Sequence, residues 1–161
     1  MTIPEEVTNL QPVISEGVHL TMSQQLWILN ADTFFVGSQS SQKKLDASHR
    51  GGNYGFVEVL ENGALKIPDY TGNSMYNTLG NIQENPNVGL LFIDFKHGNT
   101  LQMTGKATLL FDQNSEADKH KTTHTGRYWI FECEKWIQTN QHHHVTWTYE
   151  DASPFNPNML F

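Results

Sequence analysis

Apolar positions recur along this chain in short runs separated by turn-forming residues, the pattern of a protein built mainly from strands. The first 20 residues read as an amino-terminal arm. Thr21 and Gln24 then have capping-box spacing ahead of the apolar stretch Leu26 to Ala31, which predicts a short helix. Thr33 to Gly37 is β-branched and aromatic and stops at a glycine, a first strand. Phe56 to Leu60 and Ala64 to Ile67 flank Glu61-Asn62-Gly63, and Asn-Gly between apolar runs signals a hairpin because both residues tolerate positive φ. Met75, Leu79 and Ile82 fall at i, i+4 and i+7 and predict a helix from Asn73 to Gln83, ended by Asn85-Pro86. Val88 to Phe95 and Thr100 to Phe111 read as strands about a His97-Gly98-Asn99 turn. Residues 112 to 126 are polar, a loop or irregular helix, and Trp129 to Ile137 and His142 to Tyr149 read as the last two strands.

Short connections make these six or seven strands antiparallel, and two short helices cannot supply the regular crossovers of a doubly wound sheet. The expected fold class is therefore mainly β, a small closed or half-closed barrel. A length of 161 residues predicts a single domain over 1–161, with 1–20 as arm and 150–161 as tail.

Composition narrows the function. Hydrophobic residues make up 37% and charged residues 17%, as in ordinary globular proteins. Seventeen acidic against ten basic side chains give a net charge of -7, with the basic residues scattered, which argues against a nucleic-acid partner. No run of about 18 apolar residues occurs and the amino terminus has no basic and apolar leader pattern, so no membrane partner and a cytoplasmic location are expected. The single cysteine, Cys133, has no intramolecular partner. Only Arg50 and Arg127 offer a planar fork for a phosphate.

Two stretches carry candidate chemistry. Asp46-Ala47-Ser48-His49-Arg50-Gly51-Gly52 combines polar groups with glycines that let a backbone approach a ligand, and Arg50 can pair with a phosphate. The plainer reading is a Gly-Gly turn with Arg50 in solvent. Asp69-Tyr70-Thr71-Gly72-Asn73 leads into the second helix, where Asn73, Asn77 and Asn81 form a polar ridge. A helix amino terminus with amide side chains is an anion site; alternatively Asn73 caps the helix and the ridge faces water.

These stretches, with G-F-V-E-V-L, I-P-D-Y-T-G-N-S-M-Y-N-T-L-G-N, E-N-P-N-V-G-L-L-F and L-Q-M-T-G-K-A, resemble the pyridoxamine 5'-phosphate oxidase-like superfamily of FMN-binding split barrels. More narrowly they are similar to a bacterial subgroup known only as flavin-nucleotide-binding proteins. The resemblance runs from about Asp32 to Phe111, and Ser153 to Pro157 is similar to the subgroup's end. It implies a six- to seven-stranded antiparallel split β-barrel and a homodimer with FMN in each of two interface clefts. Residues Tyr70 to Thr78 then map onto the segment that meets the flavin and its phosphate, with contacts implied for Tyr70, Gly72, Asn73, Asn77 and Thr78. Asn77 and Thr78 stand where the oxidases proper carry an Arg-Lys pair, a departure that weakens the phosphate grip. Ser48, His49, Arg50 and Gly51 form the other half of the expected site, Arg50 supplying the missing charge. Gln102 is the candidate contact to the flavin ring or ribityl chain. No Lys or Arg follows Lys135, so the basic residues with which the oxidases hold a substrate phosphate are missing, and pyridoxamine 5'-phosphate is not the expected substrate.

Other signals are weaker. His142, His143 and His144 cannot close one tetrahedral metal site from neighbouring strand positions. His120 and His124 have the spacing of a zinc pair without its glutamate. Glu132 and Glu134 flank Cys133 and disfavour a thiolate. Trp129, Phe131, Trp136 and Trp147 read as core or interface. No P-loop, dinucleotide fingerprint or nucleophile elbow occurs. The expectation is an FMN-dependent oxidoreductase, with reduced nicotinamide (NADH or NADPH) as electron donor, no metal, and no catalytic side chain designated. Two alternatives stand beside it: a flavin carrier or sensor without turnover, and a haem-binding split barrel ligated by His49 or the histidine run.

Overall fold

The computed structural model describes residues 11–70, 77–140, 147, 148 and 150. Within them the order is β1 (Val13–Gly17), α1 (Met22–Leu29), β2 (Thr33–Gln39), β3 (Leu45–Gly51), β4 (Glu58–Val59), β5 (Leu65–Pro68), α2 (Asn77–Glu84), β6 (Asn87–Asp94), β7 (Asn99–Leu110), α3 (Glu116–Lys121) and β8 (Tyr128–Asn140). All pairings are antiparallel, in the order β3-β2-β6-β7-β8-β5-β4. The sheet is that of a split barrel, curled on itself and mainly β as expected. Strand β8 holds two partners on the edge away from β7: Tyr128 to Phe131 pair with β5, and Trp136 to Asn140 with β1.

Local signals explain several boundaries. Thr21 Oγ1 accepts from Gln24 N while Gln24 Oε1 accepts from Thr21 N, so the capping box opens α1 as the spacing predicts. The hairpin between β4 and β5 turns on Gly63 alone, with φ 82°, because Glu61-Asn62-Gly63 forms a three-residue loop in place of a two-residue turn. Leu79 and Ile82 are the buried stripe of α2, which packs against β2, β3 and β7.

Two strands are not announced by the apolar pattern. Val13–Gly17, inside the expected arm, pairs with β8, yet its side chains are mostly exposed, so no apolar alternation marks it. Leu45–Gly51 is a strand where a turn is one reading of Gly51-Gly52; its inward positions are the polar Asp46, Ser48 and Arg50. Residues 112 to 126 include α3, capped by Ser115, whose Oγ accepts from Asp118 N. The expected strand at His142 to Tyr149, the helix start at Asn73, and Ser153 to Pro157 lie wholly or largely outside the described residues.

The barrel interior is aromatic. Phe34 stacks on Phe92 at 5.2 Å and Phe56 at 5.9 Å, with Trp129 tilted at 6.2 Å. Ile28 from α1 and Leu79 and Ile82 from α2 join Val36, Leu65, Ile67, Leu90, Leu101, Met103, Phe131 and Trp136 in one core. Trp129, Phe131 and Trp136 are thus core residues, whereas Trp147 is 54% exposed and sets its edge against Phe95.

Where Thr104 pairs with Lys135 and Gly105 with Cys133, Glu134 is left over as a bulge that bends β8 against β7. A Cβ on Gly105 would collide with the Glu132 carbonyl, which is backbone and cannot step aside. Gly105→Ala is therefore expected to cost about 3 kcal/mol, an overpacking penalty, read as a fall in melting temperature of roughly 5–10 °C.

Candidate functional site

The inner ends of β3 and β5 meet across the split in the barrel. Strand alternation turns Asp46, Ser48 and Arg50 inward and Leu45, Ala47 and His49 outward. Arg50 is only 5% exposed, and its Nη1 lies 3.5 Å from Oδ1 of Asp69, itself 2% exposed, just beyond β5. Arg127, just before β8, places Nε 2.9 Å and Nη2 2.8 Å from the other oxygen, Oδ2. The two arginines of the chain thus converge on one buried carboxylate. The Asp69 backbone is pinned as well: its N–H donates to the Arg127 carbonyl, and its carbonyl accepts from Thr125 Oγ1 at 2.6 Å. Burial pulls the Arg50 guanidinium below its ordinary pKa, while Asp69 and Asp46 act against that shift.

Beside this cluster, α2 lies over the inward face of β2 and β3 through neutral polar groups. Ser48 Oγ and Thr78 Oγ1 are 3.0 Å apart, Thr78 Oγ1 is 3.3 Å from Asp46 Oδ2, and Asn81 Nδ2 donates to Ser38 Oγ at 3.0 Å. Asn81 therefore faces the sheet and not water, while Asn77 is exposed. Tyr70 follows Asp69 directly; it is half-buried, and burial pushes its phenol up to about 12, so it stays protonated at neutral pH. Its ring lies 6.5 Å from Phe56, beside a small cleft of about 160 Å³ also lined by Tyr54, His120 and Tyr128.

His49 and Gln102 occupy the opposite face of the sheet. His49 shares a hydrogen bond with Thr33 Oγ1 and tilts its ring against Phe35 at 5.6 Å. Strand register aligns His49, Phe35, Leu91, Gln102 and Ile137 in one row across β3, β2, β6, β7 and β8. Gln102 is exposed and Phe35 is 38% exposed. Below this row, Gly37, Gly89, Ala47 and Leu45, the last 81% exposed, help to line a shallow groove.

The structure brings Ser48 and Thr78 together on the face that Arg50 shares, sets the Tyr70 ring beside Phe56 and the small cleft, and leaves His49 and Gln102 on the other face of the sheet. Gly51 ends β3, where it pairs with Thr33. Gly72 and Asn73 lie outside the described residues, as do His142, His143 and His144. Asp69 and Arg127 were not among the expected site residues; the scarcity of arginine was the available signal, but nothing in the spacing pairs residues 50, 69 and 127. His124 lies beyond the end of α3 with φ 68°, so it does not share a helical face with His120. Burial raises the Cys133 thiol, with Glu134 adding to the shift and a hydrogen bond from the Lys135 backbone opposing it.

The residues fit the two ends of FMN unequally. The exposed Phe35 ring and the half-buried Leu91 and Ile137, with the Gln102 amide between them, suit a planar ring. Toward the phosphate end the described residues are poor in positive charge: from Ile67 to Phe95 the chain contains no Lys, Arg or His, and both arginines lie against Asp69.

No family model matches this sequence, and no curated protein matches it. Solved structures do. The chain is similar to HupZ of Group A Streptococcus, with TM-score 0.59, 11% identity, and coverage of 73% of this chain and 98% of that one. It is similar to a Lactobacillus delbrueckii protein assigned provisionally as a pyridoxamine 5'-phosphate oxidase, with TM-score 0.52, 16% identity, and coverage of 73% and 93%. It is also similar to a pyridoxamine 5'-phosphate oxidase-related, FMN binding protein of Nostoc punctiforme, with TM-score 0.51, 8% identity, and coverage of 70% and 76%. These likenesses establish the split-barrel fold of the pyridoxamine 5'-phosphate oxidase-like proteins. Among the described residues, no helix is long and apolar enough to cross a membrane.

Asp69→Ala strands Arg50 in the interior while Arg127 can turn to solvent, so the two sides of the cluster are unequal. Urea denaturation is expected to show a loss of about 3–5 kcal/mol for Asp69→Ala, the cost of an uncompensated buried charge. For Arg127→Ala, about 3 kcal/mol is expected, because the buried Asp69 carboxylate loses its two short contacts and keeps Arg50 at 3.5 Å.

Proposed function

We propose that this protein is a flavin-binding split barrel that works as a homodimer, each ligand held between one subunit's β3–α2 region and the outer sheet face of its partner. The observation that carries the reading is the division of the candidate residues between two faces. Within one chain, His49 and Gln102 are three strand spacings apart, about 14 Å, and both point away from Ser48, Arg50 and Thr78. No single concave surface of one subunit gathers them. A second copy docked on the row of exposed Phe35 and half-buried Leu91 and Ile137 brings an outer face to an inner edge and covers apolar surface at the same time.

FMN is the flavin that the resemblance implies, and the FMN binding named for the Nostoc punctiforme structure agrees with it. When bound, a flavin supplies the redox chemistry, and the protein supplies position and local polarity. Phe35 and Leu91 offer a floor for the ring, Gln102 an amide for its polar edge, and Tyr70 a phenol that remains a donor at neutral pH. The reaction class is oxidoreduction with a reduced nicotinamide as donor, in the cytoplasm.

The test is a visible absorption spectrum of the purified chain, with and without added flavin, followed by anaerobic NADPH and NADH. Flavin absorption that bleaches on reductant and recovers with steady turnover is expected. Bound flavin without turnover makes the protein a carrier, and a Soret band without flavin overturns the reading in favour of haem. Light scattering on the eluted protein should give twice the monomer mass.

A further inference from the structure

We propose that the β3–α2 region selects a ligand whose end there is a neutral polyol and discriminates against one ending in a phosphate, so that riboflavin binds at least as well as FMN. The inference rests on the flavin reading above and narrows it. The two cations in the region are Arg50 and Arg127, and the single buried carboxylate of Asp69 binds both. Asp46 adds a second negative charge, which leaves the four groups with no net charge.

Asp46 also stands where a phosphate would be most welcome. Its Oδ2 lies 3.3 Å from Thr78 Oγ1, in the first turn of α2. The amino end of a helix carries roughly half a positive charge, and here the chain sets a carboxylate of its own beside it. A phosphate dianion brought to the same turn meets that carboxylate with no Lys, Arg or His between Ile67 and Phe95 to offset it. What the region does offer is neutral: the half-buried Ser48 hydroxyl, set 3.0 Å from the buried Thr78 hydroxyl, and the exposed Asn77 amide. A hydroxyl and an amide, each able to donate and accept, match the hydroxyls of a sugar-alcohol chain. The charge that FMN carries beyond riboflavin is thus the part for which the described residues of this region hold no counterpart.

Fluorescence titration of the full chain with riboflavin and with FMN tests this. The expected result is a riboflavin Kd equal to or below that of FMN. In Asp46→Asn, FMN should tighten about five- to tenfold while riboflavin stays within twofold. A wild-type preference for FMN of tenfold or more overturns the proposal and leaves the flavin reading standing. If both affinities move together in Asp46→Asn, Asp46 acts on the fold and not on the ligand's charge, and the assignment to Asp46 falls. Binding of neither flavin overturns the underlying functional reading itself.

Discussion

The Asp69 carboxylate bears on more of this structure than any other single group. In hydrogen-bonded order, β3 and β5 are separated by β2, β6, β7 and β8, so backbone ladders cannot join them directly. Arg50 and Asp69 join them through an ion pair across the split instead. Two charges taken out of water repay their desolvation only with good geometry and further partners. Here Arg127 on the second oxygen and the Thr125 hydroxyl on the backbone supply those partners. The arrangement sets the start of the segment that runs from Tyr70 into α2, and it uses up the arginines that a phosphate would otherwise call upon.

Strand alternation then decides what each residue of β3 can do. A polar strand at the sheet edge places Asp46 and Ser48 against α2, Arg50 against Asp69, and His49 on the other face against Phe35. Neighbours in sequence thereby serve opposite faces, and a site that uses all of them needs a second surface. The row across five strands and the groove beneath it, floored by Gly37 and Gly89, provide one. The fold and the proposed dimer and ligand site are in this way linked by one geometric fact, the two-residue repeat of a strand.

Much of the fold is legible in the chain. The capping box at Thr21 and Gln24, the Gly63 hairpin, the buried stripe of α2 and the long strands β6, β7 and β8 each follow from local signals that tertiary contacts reinforce. The failures share a cause. Strand β1 has no apolar alternation because its side chains stay mostly exposed on both faces, and β3 hides behind polar inward residues that pair with Thr78 of α2 and with Asp69. Both are strands by register and not by hydrophobicity, so periodicity alone passes over them.

By itself the sequence determined the class of fold, the order of most elements and the scarcity of arginine, because periodicity, turn chemistry and composition are local or summed properties. It could not determine that residues 50, 69 and 127 meet, that His49 and Gln102 turn away from Ser48 and Thr78, or that Asp46 sits at the first turn of α2. Those are facts of pairing register and sheet curvature, which bring distant positions within a few ångströms, and only the folded chain decides them.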